Sequence, residues 1–135
     1  MTPAELEAAY IDRIKQVGCL LLLTAEDAIC LVGDCANANI RFLGVEAYRI
    51  HDNDVVQPAL EYSNIRFGRT EKHGDTIKLT EFKRALRSEW TDDVDVFKHT
   101  EELIRAGAAD GYSWYEVSLE DPTDDSLLFF RSIGA

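Results

Sequence analysis

The chain has 135 residues, 46% of them hydrophobic and 29% charged, with a formal net charge of −11. That size and composition suit one folded domain over residues 1–135 and exclude a disordered chain. The charge argues against non-specific binding to nucleic acid or to an anionic membrane, and the longest apolar run, Cys19 to Leu23, is too short to span a bilayer.

Thr2-Pro3-Ala4-Glu5 reads as a helix start, with a Thr cap, Pro at the first position and Glu at the third. Leu6, Tyr10, Ile14 and Val17 follow at helical spacing, and Gly18 is expected to close this helix. Val17-Gly18-Cys19 has the look of a lipoprotein cleavage site. Glu5, Glu7, Asp12, Arg13 and Lys15 precede it, so there is no apolar signal region and the expected compartment is the cytoplasm. Leu20 to Leu23 fits either a buried strand or a continuation into the next helix. Thr24-Ala25-Glu26-Asp27 caps a second helix with Ala28, Ile29, Val32 and Cys35 inward, and Asn37-Ala38-Asn39 ends it.

Ile40 to Tyr62 gives the clearest hairpin signal. Ile40 to Ile50 is rich in β-branched and aromatic residues, His51 to Asp54 is a polar turn, and Val55 to Tyr62 returns. A turn of those four residues pairs Ile50 with Val55. It then puts Glu61 opposite Gly44 and diagonal to Glu46. Pro58 lacks the N–H that a central strand needs, so the returning strand is expected at an edge.

Ile65 and Phe67 alternate with polar residues as a third strand, Glu71 to Asp75 is a turn, and Thr76 to Leu79 a short strand. Thr80 caps a helix that carries Phe82, Leu86 and Trp90. Thr91-Asp92-Asp93 starts another, with Val94, Phe97 and Ile104 on its apolar side and a break at Ala106 to Gly111. Tyr112 to Glu120 alternates as a strand, with Tyr112, Trp114 and Glu116 on one face. Asp121 to Asp125 is an acidic turn, and Leu127 to Ile133 returns.

Grouped helices and strands of this kind predict an α+β domain: a central antiparallel or mixed sheet with about four helices packed on it. Without strict strand–helix alternation or a Gly-rich phosphate loop, a doubly wound nucleotide fold is not expected.

No motif names a chemistry. Cys19, Cys30 and Cys35 have neither zinc nor CxxC spacing, and each lies in an apolar neighbourhood, so buried free thiols are expected. His51, His73 and His99 are scattered, with no metal-ligand arrangement. Ser63, Ser113 and Ser132 have no nucleophile-elbow context. Asp52-Asn53-Asp54 and the Asp121 to Asp125 turn lack the twelve-residue calcium loop. Neither metal nor cofactor is expected. Glu46 and Glu61 are the best candidates for acid–base work, because neighbouring carboxylates push their pKa values apart. Arg41, Arg49 or Arg66 could instead pair with them.

Acidity peaks at Asp92, Asp93 and Asp95, and again at Glu120, Asp121, Asp124 and Asp125, in places where side chains are usually solvated. With Tyr112, Trp114 and Glu116 these are the candidate partner-binding residues: aromatics to anchor, acids to steer a basic protein.

In its size, acidity, cytoplasmic character and lack of a catalytic motif, the whole chain resembles bacterial toxin immunity proteins. The resemblance is one of general character, and it implies a basic partner, a nuclease or other toxin domain, inhibited by occlusion. A small enzyme or ligand-binding domain using Glu46 and Glu61, or an adaptor subunit of a larger assembly, are the alternative expectations.

Overall fold

The sheet grows from two hairpins that meet across a strand distant in sequence. The computed structural model describes residues 2–35, 37, 38, 40–63 and 94–129. Among them are helix α1 (Pro3–Tyr10), strands β1 (Lys15–Val17) and β2 (Leu20–Thr24), helix α2 (Ala25–Cys35), strands β3 (Arg41–Ile50) and β4 (Val56–Ala59), helix α3 (Val94–Ala109) and strand β5 (Trp114–Glu120). The fold is α+β. Among the described residues five strands run in the order β1-β2-β5-β3-β4, and every neighbouring pair is antiparallel. The strands, turn and helix expected between Ile65 and Trp90 lie outside the described residues, as do Asp92, Asp93, His73, Ser132 and residues 130–135. Three α-helices are described where about four were expected.

The α1 capping box forms as its sequence requires. The Glu5 N–H donates to Thr2 Oγ1 (3.2 Å), and the Thr2 N–H donates to Glu5 Oε1 (3.3 Å). The helix stops at Tyr10, however, and does not reach Val17. A short 3-10 turn, Ile11–Arg13, leads to an extended Ile14 and then β1. Gly18 takes φ +60° in the two-residue turn joining Val17 to Leu20. A helix C-cap and a tight hairpin both call for a left-handed glycine, so the same residue served either reading. Leu20 to Leu23 is therefore strand.

Helix α2 starts where the Asp27 N–H donates to Thr24 Oγ1, and it buries Ala28, Leu31, Val32 and Cys35, while Ile29 is half-buried. Helix α3 continues through Ala106 to Ala109 where a break was expected. Gly107 is buried inside it, because Tyr115 and Tyr62 press so close that a Cβ would overlap the Tyr115 hydroxyl. That hydroxyl donates to the Ile104 carbonyl (2.9 Å).

The main core lies on one face of the sheet. Val45, Ala47, Tyr115, Val117 and Leu119 meet Leu6 and Tyr10 of α1, Leu31 and Val32 of α2, and Ile104 of α3. Phe97 of α3 packs on Phe42 with ring centroids 5.6 Å apart. A β-bulge between Phe42 and Gly44 bends β3. The sheet curls into a half-barrel. Lys15 on β1 reaches Asp54 beyond the end of β3 (3.9 Å). In a flat sheet those strands lie about 14 Å apart, with a further offset along the strand, so the curl brings the two ends together.

No helix among the described residues is long and apolar enough to cross a membrane.

Candidate functional site

The β3–β4 register differs by one residue from the expected pairing. His51 donates its N–H to the Val55 carbonyl (2.7 Å), and Asn53 and Asp54 take positive φ, so Ile50 pairs with Val56 and Ala47 with Ala59. Strand β4 then ends at Ala59. Ser63 Oγ stands between the strands, accepting from the Ala47 N–H (3.0 Å) and donating to the Ala59 carbonyl (2.6 Å). Glu61 sits in a short 3-10 turn, Leu60–Tyr62, and is exposed. It is not the neighbour of Glu46.

Glu46 has a different carboxylate beside it. Strand β5 pairs with β3 so that Glu116 lies directly opposite Glu46, and Trp114 opposite Tyr48. Both carboxylates are half-buried on the second face of the sheet, where Leu22 and Tyr48 are buried. Glu116 Oε2 accepts the Leu21 N–H (3.1 Å). Burial raises the Glu116 pKa, the Leu21 N–H works against that rise, and the charge of Glu46 adds to it. The Tyr48 hydroxyl is pushed up by burial, by its hydrogen bond to Glu46 and by the charges of both acids. The result is a row of two carboxyls and a phenol able to share protons and to accept a cationic group.

The acids at the end of β5 do other work. Glu120 is fully buried, and Arg41 Nη1 bonds to its Oε1 (2.7 Å) and to Asp125 Oδ1 (2.5 Å). Burial opposes the charge of Arg41, and these two bonds outweigh it and raise its pKa. Asp121 is buried at 7% exposure, its Oδ1 accepting from the Thr123 N–H (3.0 Å) and hydroxyl (2.7 Å). Asp124 Oδ1 accepts likewise from the N–H and hydroxyl of Ser126. The turn is tied to the fold by these bonds, with Glu120 and Asp121 buried and Asp124 and Asp125 exposed as expected. Glu120 and Leu127 form an isolated bridge, and the return expected from Leu127 is no strand among the described residues. The helix that carries Asp95 begins at Val94.

Tyr112 does not share a face with Trp114. It belongs to the core at 8% exposure, with the Arg49 guanidinium 4.5 Å above its ring and Tyr62 beside it. Arg49 also donates to the carbonyls of Asp110 (2.7 Å) and Gly111 (3.3 Å), which closes the end of α3. Trp114 and Glu116 are half-buried.

Cys35 is buried, but Cys19 and Cys30 are exposed, contrary to the expectation for all three. Cys30 lines an open groove of about 560 Å³ between α2 and α3, with Ala25, Glu26, Ile29, Arg105 and Ala108. Among the described residues no group of three or more His, Cys, Asp or Glu is placed to hold a metal ion. Strand β4, which carries Pro58, is an edge among the described strands, as expected. Val55 and Leu60 flank it at 58% and 61% exposure, beside exposed Asp52, Asp54 and Glu61. The exposure of these two residues had no signal in the sequence, which reads Val55 and Leu60 only as apolar strand positions.

Comparison with protein-family models, with curated proteins and with solved structures returns no match.

Proposed function

We propose that the chain is a binding protein that masks a basic protein, as bacterial immunity proteins mask their toxins. A nuclease-type toxin domain is the partner this reading favours, and the cytoplasm is the compartment in which the two would meet. Surface acidity is the observation that carries it. Asp12, Glu26, Asp52, Asp54, Glu61 and Glu102 are all exposed, and the net charge is −11. Such a field accelerates encounter with a basic surface and repels polyanions. The resemblance implies a partner encoded nearby, so the test uses as ligand the purified product of the gene that flanks this one. Its association rate should fall at least about tenfold between low salt and 0.5 M salt. A rate independent of salt, or no binding, rejects the reading.

A second reading rests on the Glu46–Glu116 pair with Tyr48. It makes the second face of the sheet a site for a small cationic ligand or for proton transfer. A demonstrable turnover or ligand affinity that Glu116→Gln abolishes, in a variant that still folds, would favour it over the first.

A further inference from the structure

We infer that the second face of the sheet binds a small aliphatic amine as its ammonium ion, held between Glu46 and Glu116 and flanked by Tyr48 and Trp114. The inference rests on the second reading above and names the ligand of that face.

Strand register sets the site. Glu46 faces Glu116 across β3 and β5, and Tyr48 faces Trp114 two residues further on, so all four residues share one face. Directly opposite residues of an antiparallel pair have Cβ atoms about 4.5–5.5 Å apart, which puts one nitrogen within bonding reach of both carboxyl groups. The row of Trp114 and Tyr48 continues to Thr24 on β2 and to Pro58 on β4. Both of those residues are exposed, so the face opens to solvent at either end of the row.

The two carboxyl groups are not acids displayed to water. Like charges directly opposite each other weaken a sheet, and partial burial among apolar groups adds to the cost. Leu22, beside Glu116 on β2, is fully buried, and Tyr48 nearly so. Yet neither acid has an ion-pair partner among the described residues. Glu116 takes the Leu21 N–H, and Glu46 takes the Tyr48 hydroxyl. Lys15, on the same face of β1, is drawn to Asp54 instead. A cation between the pair removes the repulsion, and its attraction is strengthened by weakly screening surroundings. Uncompensated charge of this kind marks functional sites more often than structural ones.

The neighbours select the kind of cation. Among the described residues no third His, Cys, Asp or Glu joins the pair to complete a metal site, and hard metal ions take about six or more oxygens. An ammonium group has three N–H donors for the carboxylate oxygens. Two aromatic side chains stand beside the acids, and aromatic rings both attract cations and cover methylene groups. An ammonium on a short aliphatic chain uses acids and rings together. The net charge of −11 raises the local concentration of any such cation.

The probe is n-butylammonium chloride, titrated at constant ionic strength into the full-length protein labelled with ¹⁵N. Butanol is the neutral control and magnesium chloride the metal control. The expected result is saturable shift changes centred on residues 21–22, 46–48 and 114–116, half-complete at about 1 mM, and none there with butanol. Butylammonium should also raise the thermal midpoint of the parent. Glu46→Gln with Glu116→Gln should weaken binding at least about tenfold and abolish that rise, and Trp114→Leu should weaken binding about threefold. The exposed pair Asp12→Asn with Glu102→Gln should leave it within about twofold. Each variant is first shown to melt cooperatively, and Glu46→Gln alone serves if the double variant does not fold. Binding that survives loss of the acids, or equal shifts from butanol, would overturn the site. Magnesium shifting these residues where butylammonium does not would overturn the amine and keep the face as a cation site. Shifts from neither would overturn the inference and the cationic-ligand reading beneath it.

Discussion

Arg41 and Glu116 should respond to mutation in opposite senses. Arg41 supplies the cation for fully buried Glu120 and also binds Asp125. Removing one partner of such a buried pair costs about 3 kcal/mol, since the remaining charge loses part of its compensation. Arg41→Met should therefore lower the thermal midpoint by several degrees. Adding Glu120→Gln should recover part of the loss, and a double variant no more stable than Arg41→Met would contradict this role. Glu116 is the reverse case. Its pKa is raised in the folded chain, so the folded protein holds that proton more tightly than the unfolded chain does. The resulting cost to stability is absent below the ordinary glutamate value of about 4.3 and fully present above the folded value. Glu116→Gln keeps an acceptor for the Leu21 N–H and removes the repulsion from Glu46. It should stabilise the protein at pH 7 by about 0.5 kcal/mol, the scale of a cross-strand pair, and the gain should vanish as pH falls below about 4. Paired thermal melts at pH 7 and pH 4 check it. Glu46 and Glu116 were each visible in the sequence, but not their meeting. A one-residue difference in the β3–β4 turn removed Glu61, and a pairing across some seventy residues supplied Glu116.

Among the elements, strands β3 and β5 were legible because their apolar residues alternate with period two. The capping box of α1 and the Thr24 cap of α2 gave the starts of those helices. Ends were less legible, because glycine signals several structures. Gly18 made a hairpin where a helix end was expected, and Gly107 lies within a helix where a break was expected. Gly107 is there to admit the Tyr115 hydroxyl, a contact that no local pattern encodes. Its replacement makes a sharp test. An interior helical Gly→Ala change normally stabilises by up to about 1 kcal/mol. Here Gly107→Ala should instead destabilise by roughly 1–3 kcal/mol through overpacking, and Tyr115→Phe in the same chain should relieve much of that. Chemical denaturation of the two single variants and the double variant would show it as a coupling. Strictly additive effects would contradict the contact.

For the whole molecule, charge was readable from composition, and where the charge is usable was not. The Glu120 to Asp125 run was read as a surface for a partner. Arg41, Thr123 and Ser126 bond to it within the fold while Asp124 and Asp125 stay exposed, so Asp121→Asn, Asp124→Asn and Asp125→Asn should lower stability as well as change charge. The exposed acids of the β3–β4 tip need no such internal role, apart from the Lys15 contact with Asp54. Masking of a basic protein remains the central claim, and one measurement reaches it most directly. The flanking gene is expressed alone and together with this chain, and growth is followed. The account predicts that the flanking product arrests growth, and that co-expression of this chain restores it through a complex that can be isolated. A flanking product without toxicity, or toxicity that this chain neither relieves nor binds, would contradict it.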